Sequence, residues 1–171
     1  MKKIVLLTMV LLCINLSACS LQASEPQLIE DAVQFSRITT DELVAIMGEP
    51  IGKEDWTYND KQPVTTYSYD KNSNHYEFII AENSVVRLTI YSSDSWNGEG
   101  EKFKFYGSKQ NICKDYNIEL GDNAKKAADT NFAYRLRTVN DIVADFWVLD
   151  MDLDSKTYGF VKITYDLNYF D

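Results

Sequence analysis

The chain has 171 residues, with 26 acidic side chains against 17 basic ones and a formal net charge of −9. That balance excludes the usual nucleic-acid binders, which need clustered lysine and arginine against phosphate, and it opposes lying flat on an anionic leaflet. Hydrophobic content of 45% is ordinary for a globular domain with its own core.

The first element is an export signal. Lys2 and Lys3 precede an apolar run from Ile4 to Leu12, which closes at Leu16-Ser17-Ala18-Cys19. A basic start, a short apolar stretch and small residues before a cut are the parts of a secretory signal. The run is shorter than the roughly 18–20 residues of a membrane span. The Leu-Ser-Ala-Cys tetrad resembles the lipobox of bacterial lipoproteins. The resemblance implies diacylglycerol transfer to the Cys19 thiol, cleavage before Cys19, and a lipid-anchored chain on the extracytoplasmic side of a bacterial membrane. The signal is then 1–18, and the short polar stretch 19–27, with Pro26, is a tether. Loss of Lys2 and Lys3 leaves 15 basic residues against 26 acidic ones, a mature charge near −11. Cys13 leaves with the signal and Cys19 takes the lipid, so Cys113 has no intrachain disulfide partner. It reads as a half-buried apolar residue.

Past the tether, Gln27 to Phe35 reads as a short amphipathic helix, with Leu28, Ala32 and Phe35 at helical spacing. Thr39 with Glu42 three residues later is a capping box. It opens a helix that Gly48 ends and Pro50 keeps from resuming. Short apolar-alternating runs then predict strands at Trp56 to Tyr58, Val64 to Tyr69, His75 to Ala81 and Val85 to Tyr91. The polar stretch Ser92 to Gly100 is the best boundary in the chain. Beyond it the pattern repeats: a strand at Lys102 to Tyr106, a short helix at Asn111 to Tyr116, and a helix capped by Asp122 or Asn123 that runs to Asp129. Strands follow at Ala133 to Thr138, Ile142 to Met151 and Thr157 to Asp166. The expected fold is α+β, in two similar units (28–92 and 101–171), each a helix pair against an antiparallel sheet.

The stretch Phe35 to Pro50, with its capped helix and Met-Gly-x-Pro stop, resembles the opening of the SmpA/OmlA (BamE-like) lipoproteins. It also resembles the related β-lactamase-inhibitor-protein fold, which has two such units in tandem. Ile118-Glu119-Leu120-Gly121-Asp122 resembles the loop entering the helix of such a unit. The resemblance implies the tandem fold; it assigns no functional residue.

No catalytic set, cofactor motif or metal-ligand spacing emerges. His75 is the only histidine and has no nucleophile turn to serve; it reads as a partly exposed strand residue. Asp150, Asp152 and Asp154 have the spacing that starts a calcium loop, but Ser155 and Val161 stand where Gly and Glu belong. They read as a charged hairpin end. Aromatics are the remaining signal: 11 Tyr, 8 Phe and 3 Trp, types that anchor protein interfaces. The candidate partner-binding residues are Trp56, Tyr58, Tyr67, Tyr69 and Trp96, whereas Trp147, between Phe146 and Val148, reads as core. The expected role is a non-enzymatic, membrane-anchored module that binds another envelope protein and no nucleic acid. The alternatives are an envelope-assembly lipoprotein of the SmpA/OmlA type and, behind it, an envelope hydrolase using carboxylates. Mass spectrometry of the native amino-terminal fragment should find Cys19 carrying diacylglycerol; an unmodified thiol there would remove the anchor.

Overall fold

The computed structural model describes residues 27–170. A 3-10 turn at Ala32–Phe35 leads to α1 (Thr40–Met47), and four strands follow: β1 (Gly52–Tyr58), β2 (Gln62–Lys71), β3 (Asn74–Ala81) and β4 (Ser84–Tyr91). A five-residue helix, α2 (Ser93–Asn97), precedes the two-residue β5 (Phe103–Lys104) and a 3-10 segment at Lys109–Tyr116. The chain then forms β6 (Lys125–Asp129), β7 (Ala133–Arg137), β8 (Asp145–Asp152) and β9 (Thr157–Thr164), and ends in a 3-10 turn at Leu167–Tyr169.

The expected α1 forms for the expected reason. Glu42 N donates to Thr39 Oγ1 at 3.3 Å, and Thr39 N donates to Glu42 Oε2 at 2.8 Å. Donation from Thr39 N and from the Thr39 hydroxyl holds the Glu42 carboxyl below its ordinary range. Gly48 closes the helix at φ +85, a conformation that L side chains resist.

All strands join in one nine-stranded antiparallel sheet, in the order β1-β2-β3-β4-β9-β8-β7-β6, with β5 paired to β9. β4 and β9 form the seam, Leu88 opposite Ile163 and Ile90 opposite Val161. One face of the sheet carries the main core in two rows. Phe78, Leu88, Ile163, Phe146 and Leu136 are successive cross-strand partners, as are Tyr76, Ile90, Val161, Val148 and Tyr134. Phe35 from the first 3-10 turn, Leu43 from α1, and Ile112 and Tyr116 from the later 3-10 segment cover these rows. Tyr165 Oη donates to the Ala32 carbonyl at 2.6 Å and ties the last strand to the first turn. Cys113 is fully buried in this layer, and burial pushes its thiol up to about 12.

This architecture corrects the expected α+β fold of two helix–helix–sheet units. Among the described residues there are two short α-helices, and the fold is β-rich. The predicted first helix shrinks to the 3-10 turn at Ala32–Phe35. The helix predicted from Asp122 to Asp129 is strand β6, paired with β7 from Lys125–Arg137 to Asp129–Tyr134. Lys-Lys-Ala-Ala favours helix locally by only a few tenths of a kcal/mol per residue, and the ladder offered by β7 overrides it. Predicted strand β8 starts at Asp145 rather than Ile142, because Asn140 Oδ1 accepts from Ile142 N and Val143 N and folds that stretch into a turn. The Asp152 carboxylate likewise accepts from Asp154 N and Ser155 N in the hairpin turn.

Asp115 lies in the covering layer, 5% exposed, and burial pushes its carboxyl up to about 6. The folded state therefore holds this proton more tightly than the unfolded chain, whose Asp titrates near 4. Its stabilising effect is full below about pH 4 and is lost as pH rises through about 6. Urea midpoints should fall across that window in the wild type, and Asp115→Asn should flatten the decline.

Candidate functional site

Strand alternation sends every second residue to the face opposite the main core. Three cross-strand rows define that open face. The first runs His75, Tyr91, Phe160, Leu149; the second Glu77, Thr89, Lys162, Trp147, Arg135; the third Ile79, Arg87, Thr164, Asp145, Arg137. Among the described residues no helix spans this face as the covering layer spans the other. A small cluster of Val64, Ile79, Val86 and Phe170 occupies one end.

The second and third rows enclose a cleft of about 370 Å³, floored by Arg87, Lys162, Thr164 and Trp147 and walled by Tyr58 and Phe170. Four cations meet there on a chain of net charge −9. Asp145, 3% exposed, is held by two of them. Arg135 Nε donates to both carboxylate oxygens, at 3.1 and 3.0 Å, and Arg137 Nε lies 3.6 Å away. The Arg135 guanidinium lies over the Trp147 ring at 4.6 Å, and that of Arg87 over Phe170 at 3.4 Å. Arg87 Nε donates to Thr164 Oγ1 at 3.1 Å.

Lys162 is different. Among the described residues it has neither an ion pair nor a hydrogen-bond acceptor; its ammonium lies 5.9 Å from the Phe160 ring centroid. Burial pulls it below the ordinary lysine range, Arg87 beside it acts in the same direction, and Glu77 opposes both. Glu77 accepts from Tyr91 Oη at 3.0 Å. Trp147 Nε1 is a buried donor that finds no acceptor among the described residues.

The first row is aromatic. Trp96 of α2 stacks on His75 at 3.5 Å with 4° between the planes, and Tyr91 continues the array to Phe160 at 5.0 Å. His75 is buried rather than partly exposed, because α2 folds over it. Its Nδ1 lies 2.7 Å from Asp70 Oδ1, so the ring N–H at that position donates to the carboxylate. Among the described residues no group of three His, Cys, Asp or Glu side chains is placed to hold a metal ion.

The expected partner-binding residues divide between the two faces. Trp56 and Tyr58 lie on the open face at the β1 edge, their rings 6.1 Å apart, and Tyr58 reaches Phe170 at 5.2 Å. Trp96 is 48% exposed at the far end of the same face. Tyr67 and Tyr69 point the other way: Tyr69 is buried edge-on to Phe78, and Tyr67 packs beside the core under Lys53. Trp147, read as core, stands on the open face because its neighbours Phe146 and Val148 take the core positions. Cys19 lies outside the described residues. Sequence reasoning missed the four cations. Three of them had a local signal, a charge set between two apolar residues: Arg87 in Val-Arg-Leu, Arg135 in Tyr-Arg-Leu, Lys162 in Val-Lys-Ile; Arg137, between Leu136 and Thr138, had none.

No protein-family model matches the chain, and no curated protein sequence does either. Among solved structures it aligns with an extracellular protein containing an SCP domain from Bacillus anthracis strain Ames, at 12% identity and a TM-score of 0.45, over 85% of this chain and 49% of that one. It aligns with a cysteine-rich secretory protein from Staphylococcus aureus Mu50 at 10% identity and a TM-score of 0.44, over 84% and 49% of the two chains. A third neighbour is a candidate β-lactamase inhibitor protein from Streptococcus mutans, at 12% identity and a TM-score of 0.33, over 75% and 80%. The chain spans about half the length of the first two. Likenesses this distant carry no functional inference.

Asp145→Asn should cost on the order of 3 kcal/mol in chemical denaturation, since it leaves two guanidinium groups without their shared, buried carboxylate.

Proposed function

We propose that the chain is a non-enzymatic binding protein of the bacterial cell envelope, lipid-anchored through Cys19, and that a partner protein docks on its open sheet face. One observation carries this reading: a sheet face that no helix spans among the described residues holds a cationic, aromatic-walled cleft on a chain that is otherwise strongly acidic. Interfaces concentrate their energy in arginine, tryptophan and tyrosine, and the cleft supplies all three types in Arg87, Trp147 and Tyr58. The aromatic pair Trp56–Tyr58 lies at its rim. The lipobox-like tetrad supports the location, and the short tether 19–27 keeps the folded part near the membrane surface.

Site-specific photo-crosslinking in native membranes tests the docking face. A photoreactive residue at Trp56 should give a discrete adduct of higher mass. The same group at Ile46, exposed on α1 over the opposite face, should give none. Equal labelling from both positions, or from neither, would overturn the reading.

A further inference from the structure

The open face has two zones with different chemical needs. In the aromatic row the carboxylates are engaged: Asp70 accepts from His75 Nδ1 and Glu77 from Tyr91 Oη, and one buried atom, His75 Nε2, has no partner among the described residues. The cleft is not matched. Asp145 is already committed to Arg135 and Arg137. Arg87 uses its Nε on Thr164 and makes no ion pair among the described residues, and Lys162 makes none either. The Trp147 N–H is a buried donor without an acceptor among the described residues. A half-buried ammonium beside a half-buried guanidinium is unfavourable by itself, since each cation loses hydration and repels the other. The missing component is an anion rich in acceptor oxygens.

We propose, building on the docking role above, that the cleft is a carboxylate-binding site that receives an acidic segment of the partner protein between Lys162 and Arg87. Two features favour a protein carboxylate over phosphate. Phosphate sites commonly draw on backbone N–H groups at helix N-termini or glycine-rich loops, whereas the floor here is strand, with its amides spent in the ladder. The same cleft already grips one carboxylate, that of Asp145, with two donors of Arg135, Nε and Nη2. The walls then select the neighbouring side chain: Phe170 and Tyr58 meet edge to face at 5.2 Å and leave an aromatic rim that suits an apolar or aromatic residue beside the acid.

The three tryptophans make the test internally controlled, since Trp147 lines the cleft while Trp56 lies at its rim and Trp96 at the far end. The full chain, isotopically labelled and purified in detergent, is titrated with acetylated, amidated Glu-Tyr-Glu while the indole N–H resonances are followed. The Trp147 signal should move and that of Trp96 should stay. Gln-Tyr-Gln should bind at least about tenfold more weakly, because charge-assisted hydrogen bonds carry the contact. Lys162→Gln should weaken binding to a similar extent, and Lys162→Arg should largely retain it. Arg87→Gln is the second arm; Lys162→Gln, which keeps an aliphatic stem, stands without it if Arg87→Gln fails to fold. Four results would each overturn the proposal: no Trp147 shift up to about 10 mM peptide, far above the range of a specific contact; equal binding of Gln-Tyr-Gln; tighter binding of inorganic phosphate or glycerol phosphate; and a Trp147 shift on simple dilution, which would assign the cleft to a second copy. Failure here with Trp56 adducts intact removes only the carboxylate. Peptide binding without adducts removes the docking role and keeps the site.

Discussion

The ladder between β4 and β9 is the constraint on which the rest depends. It runs from Arg87–Thr164 to Tyr91–Phe160 and joins partners 69 to 77 residues apart in the chain. Without it each meander would expose another unpaired edge, and the exposed edges that remain, β1 and β6, are those carrying Lys53, Glu54, Lys125 and Lys126, charges that discourage further pairing. The same register sets both faces. It puts Leu88 against Ile163 for the core, and Thr89 against Lys162 for the cleft. A slip of one residue would drive Lys162 inward and Ile163 into solvent.

The two faces also differ in energy. Each fully buried Val, Leu, Ile or Phe of the core rows contributes about 2 kcal/mol of transfer free energy, and these rows cross five strands. The contacts in the cleft are smaller: a guanidinium over an aromatic ring is worth about 1 kcal/mol when partly exposed. A strong core can therefore hold an unfavourable arrangement of charge on its reverse side. Arg87 and Lys162 remain close together because the strands that carry them are fixed by Leu88, Ile90, Val161 and Ile163. Functional sites are commonly found where local conflict of this kind persists within an otherwise consistent structure.

The aromatic row serves the cleft as scaffold. Trp96 locks α2 onto His75, and Tyr91 bridges that stack to Phe160, beside which the Lys162 stem lies. Glu77, the carboxylate nearest in charge effect to Lys162, is occupied by Tyr91 Oη. The aromatic row thus helps to keep the ammonium without an ion-pair partner among the described residues. The C-terminal turn does the same from the other end, since Phe170 covers Arg87 and meets Tyr58.

Local signals in the sequence determined local structure. Thr39 and Glu42 wrote the capping box of α1, Gly48 its end, and period-two alternation placed β3, β4, β7 and β9 to within a few residues, because caps, turns and side-chain alternation act over a handful of neighbours. Trp56 and Trp96 are exposed because one stands on the edge strand β1 and the other on the five-residue α2. Tertiary structure decided the rest: that two meanders merge into one sheet, that Lys125–Asp129 is a strand although its residues favour helix, and that Trp147 and Tyr69 exchange their expected faces. It also decided the cleft. Alternation states which side of its own strand Arg87, Arg135 or Lys162 takes, but only the register between distant strands brings those sides together, and that register is fixed by long-range pairing and burial that no short stretch of sequence contains.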